Sequence, residues 1–249
     1  MRIHCFTISL LVIAVLLVLA AGVSIAQPIE GEKSISAGKP AAPDAPPMSG
    51  IVDIMIDGQE KLNPAVAYNG VHREYLVVWE QHINGGEVAI MGRRVGRDGR
   101  VKGSPIEVDR AINQQFSAPD VAYSPARDAY LVVYAHQASA SDFDIFAMPL
   151  AWNGTQLGRR AIDVDVDKDW YPAVAYNDNQ KEFLVVYEKV VAPDRRDIEA
   201  QRVRADDWSL ASWRNIDGAN NALMRLPDVA YDAERSDYLI AYTLNYPAG

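Results

Sequence analysis

The stretch Pro64-Ala65-Val66-Ala67-Tyr68, followed by Tyr75-Leu76-Val77-Val78-Trp79, decides how this chain folds, because it occurs four times. The later copies are Pro119–Tyr123 with Tyr130–Tyr134, Pro172–Tyr176 with Phe183–Tyr187, and Pro227–Tyr231 with Tyr238–Tyr242, at spacings of 55, 53 and 55 residues. A fixed period of that length marks stacked supersecondary units, none of which can bury both of its apolar faces alone.

Within a unit, the two short β-branched and aromatic runs are separated by polar turn residues such as Asn69-Gly70 and Asn177-Asp178-Asn179, and they predict a hairpin. Third strands are expected at Glu87–Val95, Asp144–Leu150 and Asp197–Val203, and fourth strands at Pro105–Val108, Ala161–Val164 and Asn215–Asp217. Four antiparallel strands in a unit of this size predict an all-β fold, a β-propeller of about four blades. The last copy stops after its second strand, so the last blade is incomplete. A β-sandwich could use the same hairpins, but it has no reason to repeat its sequence.

The run from Pro64 to Gly99, with Glu74-Tyr75-Leu76-Val77-Val78-Trp79-Glu80, Gly92-Arg93-Arg94-Val95 and Asp98-Gly99, resembles the repeat of large secreted bacterial proteins predicted to form β-propellers. The resemblance spans residues 50–249 and implies the propeller fold. The chain lacks the Trp-Asp dipeptide, the kelch Gly-Gly pair and the Ser-x-Asp-x-Gly-x-Thr-Trp box of sialidases, so the activities of those families do not transfer.

Gly50–Ile54 is expected to supply the missing fourth strand, with Ile51 and Ile54 pairing beside Tyr238–Tyr242 to close the ring and cover an edge that would otherwise self-associate. The alternatives are an open edge and a fragment of a longer protein.

Residues 1–26 hold Arg2 and no acid, an apolar run from Phe6 to Ala21, and small residues at Ser24 and Ala26, which predict a signal peptide cut before Gln27. An uncleaved anchor is the competing reading, since the run approaches the roughly 20 residues that span a bilayer. Residues 27–48, with prolines at 28, 40, 43, 46 and 47, read as a linker, and 49–249 as the repeat domain. Cleavage removes the single cysteine, Cys5, and with it disulfides, thiolate catalysis and cysteine-ligated zinc. The chain carries Lys+Arg 24 against Asp+Glu 33, a net charge of −9, which argues against a nucleic-acid partner. A secreted or extracellular location follows, periplasmic or cell-surface included, with no membrane contact after cleavage.

Ligand sites are expected on one edge of the disc, in the loops 80–86, 135–142 and 188–196 with 109–118, 165–171 and 217–226, because function sits on varied loops over a rigid scaffold. The second position of the first strand alternates Ala65, Asp120, Ala173, Asp228. Opposed blades would bring Asp120 and Asp228 together at the channel mouth, as a cation site or an acid/base pair, unless each merely binds backbone amides in its own turn. His82 and His136 occupy corresponding loops without a third zinc ligand. Trp170 and Tyr171 offer a sugar-stacking surface or packing between blades. The acids at 163, 165, 167 and 169 lack the glycine and distal glutamate of a calcium loop and read as a solvated strand end. No metal and no cofactor are expected. The reading of the whole is a non-catalytic module binding an extracellular protein or carbohydrate, with a carbohydrate-active enzyme as the alternative.

Overall fold

The computed structural model describes residues 52–83, 86–140, 142–218 and 222–246, and the backbone of 2–6 and 12–14. The signal cleavage site, the linker 27–48 and Ile51 lie outside the described residues. Two short strands, β1 (Arg2–Phe6) and β2 (Val12–Ala14), precede fourteen strands that carry the repeat, and no helix occurs among the described residues. Unit 1 is the sheet β3 (Glu60–Asn69), β4 (Glu74–Ile83), β5 (Glu87–Gly96) and β6 (Val101–Ile112). Unit 2 follows as β7 (Phe116–Ser124), β8 (Ala129–Ser139), β9 (Asp142–Ala151) and β10 (Arg160–Asp163). In unit 3 the strands are β11 (Lys168–Asn177), β12 (Glu182–Ala192), β13 (Arg195–Arg204) and β14 (Leu210–Asp217), and unit 4 is the hairpin β15 (Leu223–Asp232) and β16 (Asp237–Asn245). All neighbours within a unit run antiparallel. The expected strands of the four units are present, most of them longer than predicted because the ladders run on through the polar residues at either end, while the fourth strand of unit 2 keeps its four residues, shifted by one to Arg160–Asp163.

Each first strand carries the same bulge. Asn63-Pro64, Ala118-Pro119, Tyr171-Pro172 and Leu226-Pro227 each put two residues opposite one, and the one is Trp79, Tyr134, Tyr187 or Tyr242. Proline has no N–H for the ladder. The residue before it takes a left-handed conformation, with φ of 49° at Asn63, 47° at Ala118, 50° at Tyr171 and 53° at Leu226. The hairpin turns also repeat: Asn69, Ser124, Asn177 and Asp232 each accept a backbone N–H from the turn, those of His72, Arg127, Gln180 and both Glu234 and Arg235. Asn, Ser and Asp favour such turns because their short polar side chains can cap the backbone locally.

Alternation along the second strand sends odd and even residues to opposite faces. Leu76 and Val78 of unit 1 join Tyr130, Val132 and Tyr134 of unit 2 in one core. Leu131 and Val133 join Phe183, Val185 and Tyr187 in the next, and Leu184 and Val186 join Tyr238, Ile240 and Tyr242 in the third. The units therefore stack in sequence order, with β3 against β7, β7 against β11 and β11 against β15. This is a propeller-like arrangement of sheets.

Two expectations are corrected. The aromatic position is buried in units 2 to 4, but Tyr75 is half-buried, because among the described residues no sheet packs over that face of unit 1. The segment around Ile54 forms no strand beside β16: Ile54 and Met55 pack on Trp79, Ala89 and Met91 of unit 1, while Arg2–Phe6 pairs along β16. Among the described residues no core cluster joins unit 4 to unit 1.

Candidate functional site

Asp120 and Asp228 lie on β7 and β15, strands separated by β11, which packs against both. Asp120 Oδ2 accepts the Val174 N–H of unit 3 at 2.8 Å, and Asp228 Oδ1 accepts the Val229 N–H at 2.8 Å. His82 and His136 fall within β4 and β8 rather than in loops. His82 Nε2 lies 2.5 Å from Glu80 Oε1. The ring of His136 packs on Phe116 at 4.8 Å and Phe146 at 5.7 Å, and its burial holds its pKa below the usual histidine value. Trp170 stacks on Phe143 at 4.0 Å against the core between units 2 and 3, and Tyr171, in its bulge, is 40% exposed.

The seam between units 2 and 3 collects a group of acids around one lysine. The register of β10 and β11 and their short link bring Asp163, Asp165 and Asp169 together, with one carboxylate oxygen of each within 4.8 Å of the others. Asp169 is fully buried, so a solvated strand end is corrected at this residue: the chain turns inward after Val166, which is itself exposed, and β11 carries Asp169 beneath the sheet edge. Lys189 of β12 reaches into the group, pairing with Asp165, with Asp163 Oδ2 at 3.1 Å and with Asp169 Oδ1 at 3.7 Å. The ammonium stands where a hard cation held by these three carboxylates would stand.

Electrostatics separate the acids. Burial, reinforced by the charge of Asp163, pushes Asp169 up to about 9, and neither of its oxygens accepts a hydrogen bond. Asp144 of β9 is pushed up to about 6 by burial and by Asp142, Asp163 and Asp165. Asp165 goes the other way. Partial burial opposes ionisation, but the Lys189 ammonium and the Asp167 N–H, 2.8 Å from Oδ1, outweigh it and hold the carboxyl below its ordinary value. Lys189 itself is raised despite its burial, by Asp165 and Asp169 foremost.

A hydrogen-bonded path leads outward from this group. Tyr187 Oη donates to Asp163 Oδ2 at 2.9 Å and to Glu199 Oε2 at 3.3 Å, and the same Glu199 oxygen accepts Trp213 Nε1 at 3.0 Å. The Trp213 ring is 49% exposed at the strand edge. Of these residues the sequence reading singled out the acids 163 to 169 as a possible site, and Tyr187 only as part of the repeat motif; Asp144, Lys189 and Glu199 were not singled out. Lys189 carried a weak signal, as a lone lysine beyond a strand that is otherwise apolar.

No protein-family model matches this chain, and no curated protein is similar to it. Its fold is similar to that of a GH43_12 protein retrieved from a capybara gut metagenome, at 11% identity and a TM-score of 0.49 over 74% of this chain and 37% of that one. The endo-arabinase from Bacteroides thetaiotaomicron is similar at 11% identity and a TM-score of 0.48, over 73% of this chain and 74% of the enzyme. The xylan β-1,4-xylosidase from Bacillus halodurans is similar at 8% identity and a TM-score of 0.46, over 78% and 39%. The chain thus spans well under half of the first and third of these. The likeness is one of fold. The expectation of a module with no catalysis is corrected to this extent: two of these neighbours are named as enzymes, an endo-arabinase and a xylosidase, and they sit beside the carbohydrate-active alternative rather than beside a binding module. Among the described residues no helix is long and apolar enough to cross a membrane.

Proposed function

We propose that this chain is a carbohydrate-active enzyme that cleaves glycosidic bonds at the acid group between units 2 and 3. The observation that carries the reading is the opposed displacement of two neighbouring carboxyls, Asp144 up to about 6 and Asp165 below its ordinary value. Glycoside hydrolysis needs one protonated carboxyl to protonate the leaving oxygen and one ionised carboxylate, and two neighbouring carboxyls whose pKa values are pushed apart supply both. In this reading Asp144 is the proton donor and Asp165 the carboxylate that activates water or attacks the anomeric carbon. Asp165 is the most exposed of the three clustered acids, with 44% of its side chain open to solvent, so a sugar can reach it. Asp169, fully buried, is a positioning residue that acts through Lys189. Trp213 offers its exposed ring to a sugar face.

The same reading takes the four units as blades of a propeller, residues 1–26 as a cleaved leader and the protein as secreted, where a polysaccharide substrate is met. The resemblance of the Pro64–Gly99 run to repeats of secreted bacterial proteins supports that location. The test is sugar release from aryl glycosides and polysaccharides by the full chain and by Asp144→Asn and Asp165→Asn. Both variants should lose at least a hundredfold in kcat while keeping the wild-type circular dichroism. A wild-type protein that cleaves none of the panel, or variants that keep full activity, overturns the reading.

A further inference from the structure

The repeat allows each seam to be compared with the two ends of the stack, and the ends differ in a particular way. Val121, Val174 and Val229 hold equivalent places on the first strands of units 2, 3 and 4, and all are buried by the preceding unit. Their counterpart in unit 1, Val66, is 53% exposed. Leu76, Leu131 and Leu184 are likewise buried by the following unit, whereas their counterpart Leu239 in unit 4 is 42% exposed. Unit 1 therefore presents the face that elsewhere receives a leucine, and unit 4 presents the leucine.

The face of unit 1 is shaped as a socket. Val66, Tyr75, Val77 and Val95 line an apolar cavity of about 370 Å³, walled on one side by Val52 and Ile54. At the first internal seam, the surface equivalent to this one is filled by Leu76, Val78 and Ala67 of the preceding unit. The counterparts of those three residues are Leu239, Ala241 and Ala230, on the outward side of unit 4.

A polar contact marks the same fit. Across the seam between units 2 and 3, Asp120 Oδ2 accepts the Val174 N–H at 2.8 Å. Asp228 is the counterpart of Asp120, paired with Ala241 as Asp120 is paired with Val133, and it is exposed on the outward side of unit 4. Val66 is the counterpart of Val174, paired with Val77 as Val174 is with Val185. The same register points the Val66 N–H away from β4, as it points the Val174 N–H away from β12. The alternation Ala65, Asp120, Ala173, Asp228 thus places an acid at every second seam, and the fourth belongs to a seam that the single chain leaves open.

We infer that a second copy of this chain covers these faces head to tail, with unit 4 of one copy seated on unit 1 of the other, Leu239 filling the Val66–Tyr75–Val77 socket and Asp228 accepting the Val66 N–H. Two such seams close a pair of copies into a ring; if the rotation does not close, the same contact propagates. Among the described residues both faces stay exposed and unit 4 does not meet unit 1, which is why the occupant is a second copy rather than the chain's own first unit. The inference rests on the seams alone and stands apart from the assignment of the acid group.

The test is the mass of the full chain in solution by light scattering, for the wild type, Val66→Asp and Leu239→Asp. Wild type should show a doubled mass or larger assemblies, and each variant, whose changed side chain is already exposed, should fold and be monomeric. Mixing the two variants should restore a dimer, because one keeps the intact unit 4 face and the other the intact unit 1 face. Asp228→Asn should weaken association about tenfold or more, as loss of a charge-assisted hydrogen bond does. A monomeric wild type overturns the inference, and cysteines placed at 66 and 239 in a Cys5→Ser background, needed because Cys5 lies opposite 239, that cross-link to each other within one chain would show that the ring closes on itself instead. Association that survives both aspartate variants overturns it as well, placing the contact on another surface.

Discussion

Tyr134 Oη donates to Asp109 Oδ2 at 2.7 Å, joining the second strand of unit 2 to the fourth strand of unit 1. The contact recurs as Tyr187 with Asp163 at 2.9 Å and as Tyr242 with Asp217. Each phenol is otherwise buried in a seam core, and its pKa is raised first by that burial and then by the neighbouring aspartate at Tyr134 and Tyr187. In unit 1 the same position is Trp79, which donates instead to Gln81 of its own strand at 3.1 Å. The seams thus combine an apolar interior with one polar tie near the end that carries the acid group.

Replacing Tyr134 with Phe keeps the ring and removes the tie, leaving Asp109 with Arg159 Nη1 at 3.0 Å. The expected loss is about 1–3 kcal/mol, the cost of leaving a partly buried acceptor short of its donor. Urea unfolding measures it. A loss near zero would mean that Arg159 alone satisfies Asp109.

The aromatic position separates the end unit from the internal ones. Tyr130→Ala and Phe183→Ala should each cost about 3–5 kcal/mol, because both rings are fully buried between sheets. Tyr75→Ala should cost less than half of that in monomeric protein, since its ring borders an open cavity. Equal losses at the three positions would refute the stacking order.

Stability should fall as pH rises through the range set by Asp169. The unfolded chain releases this proton near the ordinary carboxyl value of 3.8, whereas the folded protein holds it up to about 9. Between those values the folded state binds more protons than the unfolded one, so the slope of unfolding free energy against pH is negative. Asp144, raised to about 6, adds the same sign over the lower part of the window. Asp169→Asn should flatten the decline between pH 5 and 9, read from urea midpoints at several pH values. A wild-type profile that rises over this range contradicts the burial of an uncompensated carboxyl.

Lys189→Met removes the one ammonium that faces Asp163, Asp165 and Asp169. Breaking a buried pair from one side costs about 3–5 kcal/mol because the remaining charges stay uncompensated. Adding Asp165→Asn, which removes the ionised partner of the ammonium, should recover part of the loss, giving a favourable coupling above about 0.5 kcal/mol in a double-mutant cycle. Strict additivity would place Asp165 outside the group electrostatically.

Ala118→Gly should stabilise the protein by about 1 kcal/mol, since alanine at φ 47° carries the left-handed penalty that glycine escapes. Thermal unfolding of the variant checks this, and destabilisation would show that the bulge depends on the alanine methyl group.

Four copies of one motif determined the strand order, the hairpins and the burial of the internal aromatics, because alternation and turn chemistry act over a few residues and repeat with the period of the sequence. The same local reading registered the acids at 163, 165, 167 and 169 and the alternating Asp120 and Asp228. It misjudged the burial of Asp169 and the unit that supplies the amide to Asp120, while Asp228 accepts a backbone N–H of its own strand, as one of its readings expected. Whether Asp169 is solvated or buried depends on Lys189 and on the neighbouring sheet, and whether Asp120 meets Asp228 or the Val174 amide depends on which face of one unit lies against the next. Only the packing of units some 50 residues apart decided these contacts, since the solvation and the partner of each acid depend on which groups of the next sheet lie opposite it.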